Sequence, residues 1–412
     1  MTKKKILFVI PYMSEGGAQR ALSNIQKELA NTYSIDTLIN GEFNRVYPNY
    51  GNVYTLKIDN RRKKDSVLFQ FLVFLKRVHR LRDLKNTNDY IACISFVDSA
   101  NVANIITKSK KTKTIISVRT SIAESAKVLP QYKYIVSPMV KLLYPRADRI
   151  ITVSEELRRE LICSFGINAR IIQTIYNGFD IENINMLSQE DIDNSVLLRV
   201  KGKRIVFTAG RLNIAKNQWH LIRAFSIIKK KLPNTVLVIA GTGELEEYLQ
   251  SLTEKLGLSK DIIFLGFESN VYRYMANADV FVLPSCYEGF PNALCEAMCV
   301  GAPCVVTDFK TGAREIIAPE LLFSDEVLNK ATECEYGIIT PKCSGKKYIG
   351  EEPLESAELE LADAITRVLE DERLMVRYRS KSRERSRFFT IHDAARKWEE
   401  EIEDKKNELS KC

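Results

Sequence analysis

From residue 5 onward the chain alternates short, almost wholly apolar runs with longer stretches of helical periodicity. In the first half the runs are ILFVIP, IDTLI, VYTLK, YIACISF, TIISVR and RIITVS, and the intervening periodicity predicts helices over 18–30, 66–85, 99–108 and 134–145. Strands that are apolar at successive positions, rather than at every second one, are buried on both faces, and strands separated by helices are parallel. After IIQTIYNGFD a polar stretch, IENINMLSQEDIDNS, interrupts the rhythm and reads as a linker. The rhythm then restarts with RIVFTAG, TVLVIAG, IIFLGF, VFVLPS and PCVVTD, separated by predicted helices over 217–231, 243–256, 269–277 and 291–300. Gly301 and Pro303 supply the stop of the last of these. Helices over 355–370, 373–388 and 391 to about 408 close the chain. At 412 residues it is too long for one core. The pattern predicts two α/β domains of Rossmann type, at 1–180 and 201–388, joined by a linker at 181–200 and followed by a terminal helix at 389–412.

The candidate chemistry lies where strands give way to helices. Residues 288–296 read EGFPNALCE, directly after the strand VFVLPS. Pro291 suits a helix opening because its missing N–H would have gone unbonded there. The N–H groups of Asn292, Ala293 and Leu294 are then expected without partners, and an exposed helix end of this kind favours anions. Glu288 and Glu296 bracket that turn, so one carboxylate suits ribose hydroxyls and the other a hexose, with the amides left for a diphosphate. The bland reading of either Glu alone is a surface residue complementing the helix dipole. Upstream, RIVFTAGRLNIAKNQ ends a strand in Gly210-Arg211 and places Lys216 at the next helix start, two cations suited to the charge on a departing diphosphate. Near the amino terminus, Gly16-Gly17 lack Cβ atoms and allow a phosphate or sugar to approach backbone closely.

With these segments in hand the chain resembles family four of the retaining glycosyltransferases, whose fold is GT-B, two facing Rossmann-like domains with parallel sheets and an interdomain cleft. The resemblance rests on EGG near the start, ADRIITVSE at 147–155, IYNGFD at 175–180, GRLNIAKN at 210–217 and EGFPNALCEAM at 288–298, whose two glutamates stand seven residues apart. It implies catalytic roles for Arg211, Lys216 and Glu288, with Glu288 on the transferred sugar and Glu296 on the ribose. It also implies a donor site completed by Gly16, Gly17, Phe290, Asn292, Ala293 and Leu294. Where many members carry a sugar-contacting His, ISVRTSIAE offers Arg119, a candidate contact to the sugar or to an acceptor phosphate. The implied activity is retaining transfer of a hexose or N-acetylhexosamine from a nucleoside diphosphate sugar, UDP being the commonest carrier, to a glycan or polyprenyl-linked acceptor in bacterial cell-surface polysaccharide synthesis. No metal and no cofactor beyond the UDP-sugar is expected, because Arg211, Lys216 and the helix end at Asn292 supply the charge. Whether retention proceeds by front-face attack or through a covalent intermediate is not written in the sequence. In the family the last helix returns to the first domain, where Trp398 would anchor it.

Charge refines the picture because it is uneven. Residues 1–180 hold 29 Lys and Arg against 15 Asp and Glu, a net of +14, whereas the remainder holds 32 against 37, a net of −5. A basic first domain suits an anionic partner. In RRKKDSVLFQFLVFLKRVHRLRDLKN an apolar run from Val67 to Leu75 lies between basic clusters. It reads either as a crossover helix or as a helix whose apolar face and Arg61, Arg62, Lys63 and Lys64 meet anionic lipid. No apolar stretch is long enough to span a membrane, and the KKKILFVIPYM start reads as a first strand rather than a leader. Nine cysteines without a C-x-x-C pair, and three histidines remote from them in sequence, argue against a zinc site and for reduced thiols in a cytoplasmic enzyme; the basic first domain is what would make it peripheral on the inner face of the plasma membrane. Cys295 reads as helix packing. Asp191-Ile192-Asp193 resembles the metal-binding D-x-D of another glycosyltransferase fold but follows no strand and is discounted. Among rivals, a sugar-nucleotide epimerase shares the fold. An oxidoreductase lacks the third glycine after Gly241-Thr242-Gly243, where Glu246 stands. A nucleic-acid binder lacks an aromatic and basic stacking platform.

Overall fold

The computed structural model describes residues 3–14, 16–42, 46–58 and 66–403. The chain forms two compact units, one of residues 1–178 with 390–412, the other of residues 179–389. In the first unit seven strands, β1 (Lys5–Val9), β2 (Ser34–Ile39), β3 (Asn52–Thr55), β4 (Tyr90–Phe96), β5 (Lys113–Val118), β6 (Arg149–Thr152) and β7 (Ile172–Thr174), form a parallel sheet in the order β3-β2-β1-β4-β5-β6-β7. Its apolar runs are buried as their pattern requires: Ile6, Leu7, Phe8 and Val9 are fully enclosed, and each such side chain contributes about 1.5–3 kcal/mol. The helix Val67–Thr87 is capped by Ser66 Oγ, which accepts from Phe69 N at 3.2 Å. Only its later turns cover the sheet, through Val73, Arg77, Leu81 and Leu84. Its first turns leave Val67, Leu68, Phe71, Leu72 and Leu75 exposed, Val67 to 86 %. Arg61, Arg62, Lys63 and Lys64, expected to meet lipid, lie outside the described residues, as does Glu15 of the EGG motif.

The terminal helix Ile391–Glu403 belongs to this first unit. Trp398 is buried and stacks on Phe96 at 5.9 Å between ring centroids. The glycine of IYNGFD is explained by the same helix, because a Cβ on Gly178 would stand 2.6 Å from the Cα of Ile391.

The second unit repeats the scheme with β8 (Arg204–Ala209), β9 (Thr235–Ala240), β10 (Ile262–Gly266), β11 (Val280–Leu283), β12 (Cys304–Thr307), β13 (Thr332–Glu333) and β14 (Ile338–Thr340) in the order β10-β9-β8-β11-β12-β14-β13. All its pairs are parallel except β13 with β14. The strand order reverses between β8 and β11, where Val280 pairs Val206 and Phe281 pairs Phe207. A crevice opens beyond the carboxyl ends of strands at such a reversal.

Several elements differ from expectation. The stretch read as a linker, 181–200, instead forms two helices, Ile181–Leu187 and Asn194–Val200, which form part of the second unit. Val196 and Val200 bury there, a spacing of four that the polar surroundings mask. Asp193 of the discounted D-x-D is a structural tie, accepting from Tyr274 Oη at 2.9 Å and Arg273 Nη2 at 3.1 Å. The helix expected over 134–145 opens as a π turn, Tyr132–Val136, before the α-helix Ser137–Leu143.

Candidate active site

Two loops meet at the carboxyl ends of β8 and β11. The first runs from Gly210 to Asn217 and is anchored to the loop after β9, with Leu212 N donating to Thr242 O at 2.9 Å and Leu245 N donating to Leu212 O at 3.1 Å. Asn213 turns the chain by accepting from Lys216 N at 3.2 Å, and Asn217 caps the helix Gln218–Lys231 in the left-handed region, its side chain fully buried. The second loop runs from Ser285 to Pro291. Cys286 N donates to Ala215 O at 2.8 Å and so joins the two.

The joined loops bring Lys216 Nζ and Glu288 Oε1 into a direct ion pair, both side chains less than one-fifth exposed. Glu288 is held from two more directions: Ser285 Oγ donates to its Oε1 at 2.8 Å, and Thr311 Oγ1 donates to its carbonyl at 2.7 Å. Ser285 is itself fixed, its carbonyl accepting from Thr307 Oγ1 at 2.7 Å. The loop carrying Thr311 lies against the turn at 290–291, where a Cβ on Gly312 would meet Pro291 Cδ at 2.6 Å. Beneath Lys216 the chain runs close: a Cβ on Gly210, whose φ is +154°, would stand 3.0 Å from Lys216 Cε. Arg211 lies exposed at the start of the same loop, and its carbonyl accepts from Gln218 Nε2 at 3.1 Å.

The helix end differs from expectation. The helix runs Asn292–Cys299, with Pro291 as its cap rather than its first residue. Asn292 and Ala293 are half-exposed there, but Leu294 is buried and its N–H already donates to Pro291 O at 3.0 Å. The expected trio of unpaired amides is therefore corrected, because the first turn tightens on itself. The ring of Phe290 packs edge-on against Phe389 at 5.6 Å between centroids. Glu296 is almost wholly buried one turn further along. Cys295 is fully buried and burial pushes its thiol well above the usual range, which fits packing.

In the first unit, Gly16 precedes the helix Gly17–Leu29, with φ +158°. Arg119 follows β5, its Nη2 donating to Asn177 Oδ1 at 2.5 Å and its guanidinium lying 5.1 Å from the Phe96 ring centre. Burial lowers its pKa, and among the described residues an amide oxygen and a ring face hold its charge. Ser285, Thr311 and Gly312 were not read from the sequence as parts of the site. Ser285 is signalled by its place at the end of VFVLPS, and the other two only by the fold. The fold also gathers His220, Cys343 and Glu355, which sequence separation had kept apart.

The arrangement is a cation and a carboxylate fixed at a sheet reversal beside a helix end, in a chain whose EGFPNALCE and GRLNIAKN segments supply both loops. The profile of Glycosyltransferase Family 4 matches residues 16–183, and that of Glycosyl transferases group 1 matches residues 189–327. A glycosyltransferase of Methanocaldococcus jannaschii is 32 % identical over 84 % of this chain and 86 % of its own. The chain belongs to glycosyltransferase family 4. A second relative of the enzyme, from Campylobacter jejuni, is 27 % identical over 94 % of this chain and 96 % of its own. It is named N-acetylgalactosamine-N,N'-diacetylbacillosaminyl-diphospho-undecaprenol 4-alpha-N-acetylgalactosaminyltransferase. Among solved structures, Anabaena HepE in complex with UDP and glucose matches with a TM-score of 0.71 at 20 % identity, covering 97 % of this chain and all of that one. Sucrose-phosphate synthase from Thermosynechococcus elongatus matches with 0.76 at 16 % identity, covering 98 % and 99 %. These likenesses establish the GT-B fold for the glycosyltransferase. Among the described residues no helix is long and apolar enough to cross a membrane.

Proposed function

We propose that this glycosyltransferase moves a hexose or N-acetylhexosamine from UDP to a hydroxyl of a glycan or polyprenyl-linked acceptor in bacterial cell-surface polysaccharide synthesis, with retention at the anomeric carbon. The observation that carries the donor reading is the Lys216–Glu288 pair at the ends of β8 and β11. A UDP-sugar laid along that crevice puts its hexose hydroxyls on Glu288, which then shares Lys216 with the β-phosphate. As the glycosidic bond breaks, negative charge grows on the leaving diphosphate, and Lys216, Arg211 and the Asn292–Ala293 end of the helix stabilise it. A preorganised donor of this kind is worth about 2.7–4 kcal/mol. Glu296 takes the ribose hydroxyls. The choice of UDP and of a polyprenyl diphosphate acceptor is supported by the ligands and names of the relatives above, and Arg119 suits the acceptor phosphate because, among the described residues, its charge meets only an amide oxygen and a ring face.

The exposed apolar first turns of the helix Val67–Thr87, within a half of net charge +14, support seating on an anionic membrane surface where a lipid-linked acceptor would be met. The test is a panel of UDP-, GDP- and dTDP-sugars incubated with and without polyprenyl diphosphate glycans, with products followed by NMR of the anomeric proton. UDP release coupled to an α-linked product from an α-donor is expected. Consumption of GDP- or dTDP-sugars alone, an inverted linkage, or an isomerised sugar nucleotide without acceptor would each overturn the reading.

A further inference from the structure

We propose that His220, Cys343 and Glu355 bind a divalent cation of the zinc class inside the second unit. The Nε2 or Nδ1 of His220, Sγ of Cys343 and a carboxylate oxygen of Glu355 lie within 4.8 Å of one another. Ligand atoms around tetrahedral zinc, bonded at about 2.0–2.3 Å, stand roughly 3.3–3.7 Å apart, so a contraction of about 1 Å closes the set. His220 is fully buried, and its Nε2 has no hydrogen-bond partner. Its other nitrogen, Nδ1, lies 2.7 Å from Glu358 Oε1. That is the arrangement in which a carboxylate holds the ring's proton on one nitrogen and leaves the other lone pair for a metal. Glu358 is in turn gripped by Arg223, whose Nε and Nη2 donate to it at 2.8 and 3.2 Å. The Glu355 carboxylate is aimed by Ser344 N, which donates to its Oε2 at 3.0 Å, and by Tyr348 Oη and Ser344 Oγ, which both donate to its Oε1, the first at 2.7 Å. Cys343 is buried to 1 % exposure.

A nitrogen, sulfur and oxygen set selects zinc or cobalt over magnesium or calcium, which take oxygen alone. The sequence hid the site because its residues come from three places: the helix Gln218–Lys231, the irregular segment after β14, and the cap of the helix Ser356–Glu370. That irregular segment is held by side chains, with Trp219 Nε1 donating to Lys346 O at 2.8 Å and Arg223 donating to the carbonyls of Gly350, Glu352 and Pro353 at 2.8–3.0 Å. The ion pins it to the first turn of the helix that starts just after Lys216, a structural duty separate from the chemistry. Cys286, whose Sγ lies 3.3 Å from where a Cβ on Gly345 would stand, is a candidate fourth ligand.

The inference does not rest on the donor reading. The full chain, stripped with a chelator under reducing conditions, is titrated with cobalt(II). Retention of a single cobalt with sulfur-to-cobalt charge-transfer absorption in the near ultraviolet is expected, displaced by one equivalent of zinc. Cys343→Ser and His220→Gln lose the absorption or the ion, with affinity at least about tenfold weaker. Should those variants fail to fold, zinc K-edge absorption on the wild type decides: one sulfur at about 2.3 Å with nitrogen and oxygen at about 2.0–2.1 Å supports the site, and two sulfurs support it with Cys286 enlisted. Failure to retain cobalt, an ion without sulfur ligation, or an unchanged spectrum in folded Cys343→Ser would overturn it.

Discussion

Gly210→Ala tests how the site aims its lysine. The added methyl would stand 3.0, 3.4 and 3.5 Å from Cε, Cδ and Nζ of Lys216, where ordinary contacts begin at 3.4 Å. The lysine tail is flexible, so it moves rather than the backbone, by about 0.4–1 Å, carrying Nζ away from Glu288. A misplacement of about 1 Å at a reacting group costs up to a hundredfold in rate, so kcat should fall between about tenfold and a hundredfold. The φ of +154° adds strain for an alanine, more than about 1 kcal/mol, which lowers Tm by about 2–4 °C per kcal/mol for a unit of this size. Gly202→Ala is the control: its φ is +71° but nothing lies within 4 Å of the added methyl. It should lose stability and keep its turnover. Steady-state kcat at saturating UDP-sugar, read beside thermal melts of both variants, checks the reasoning. Unchanged kcat in a destabilised Gly210→Ala, or an equal loss in Gly202→Ala, would refute it.

Arg223→Met leaves Glu358 buried without its cation, and breaking such a pair costs about 3–5 kcal/mol, so Tm should fall by roughly 6–20 °C in a differential scan. Glu352 accepts from Ile349 N at 3.0 Å and Gly350 N at 2.8 Å, which lowers its carboxyl from 4.5 to about 2. A carboxyl depressed in the folded state stabilises above its unfolded pKa, and the benefit is lost as pH falls from 4.5 toward about 2. Glu352→Gln should therefore melt below wild type at neutral pH and converge on it in acid, as melts across pH would record. Leu68→Asp with Phe71→Asp removes exposed apolar surface, so liposome flotation on anionic vesicles should weaken while the melting profile stays unchanged.

Much of the fold was legible because its strands are apolar at every position and its helices carry a periodic stripe. That pattern located β1, β4, β8, β9 and β11, whose side chains the two sheets enclose on both faces. It missed the helices at 181–200, because Val196 and Val200 are too few apolar positions to stand out in a polar segment. The loops of the candidate site were legible for the same reason as the strands: GRLNIAKN and EGFPNALCE directly follow β8 and β11, and the strand order that makes those ends neighbours is common to parallel sheets of this kind. Thr311 and Gly312 were not legible, since their roles come from a loop that returns to the 288–291 turn after another strand. The third paired amide, at Leu294, escaped because a tight first turn is a matter of backbone geometry rather than residue type. His220, Cys343 and Glu355 escaped because metal-site spacing rules apply to ligands on one loop, and these come from three elements.

The central claim is that Lys216, paired with Glu288 at the end of β8, carries the charge of the departing diphosphate. The most direct measurement is kcat of Lys216→Ala with UDP-sugar saturating, on protein whose circular dichroism matches wild type. The account predicts a loss of about a hundredfold or more. Turnover equal to wild type would contradict it.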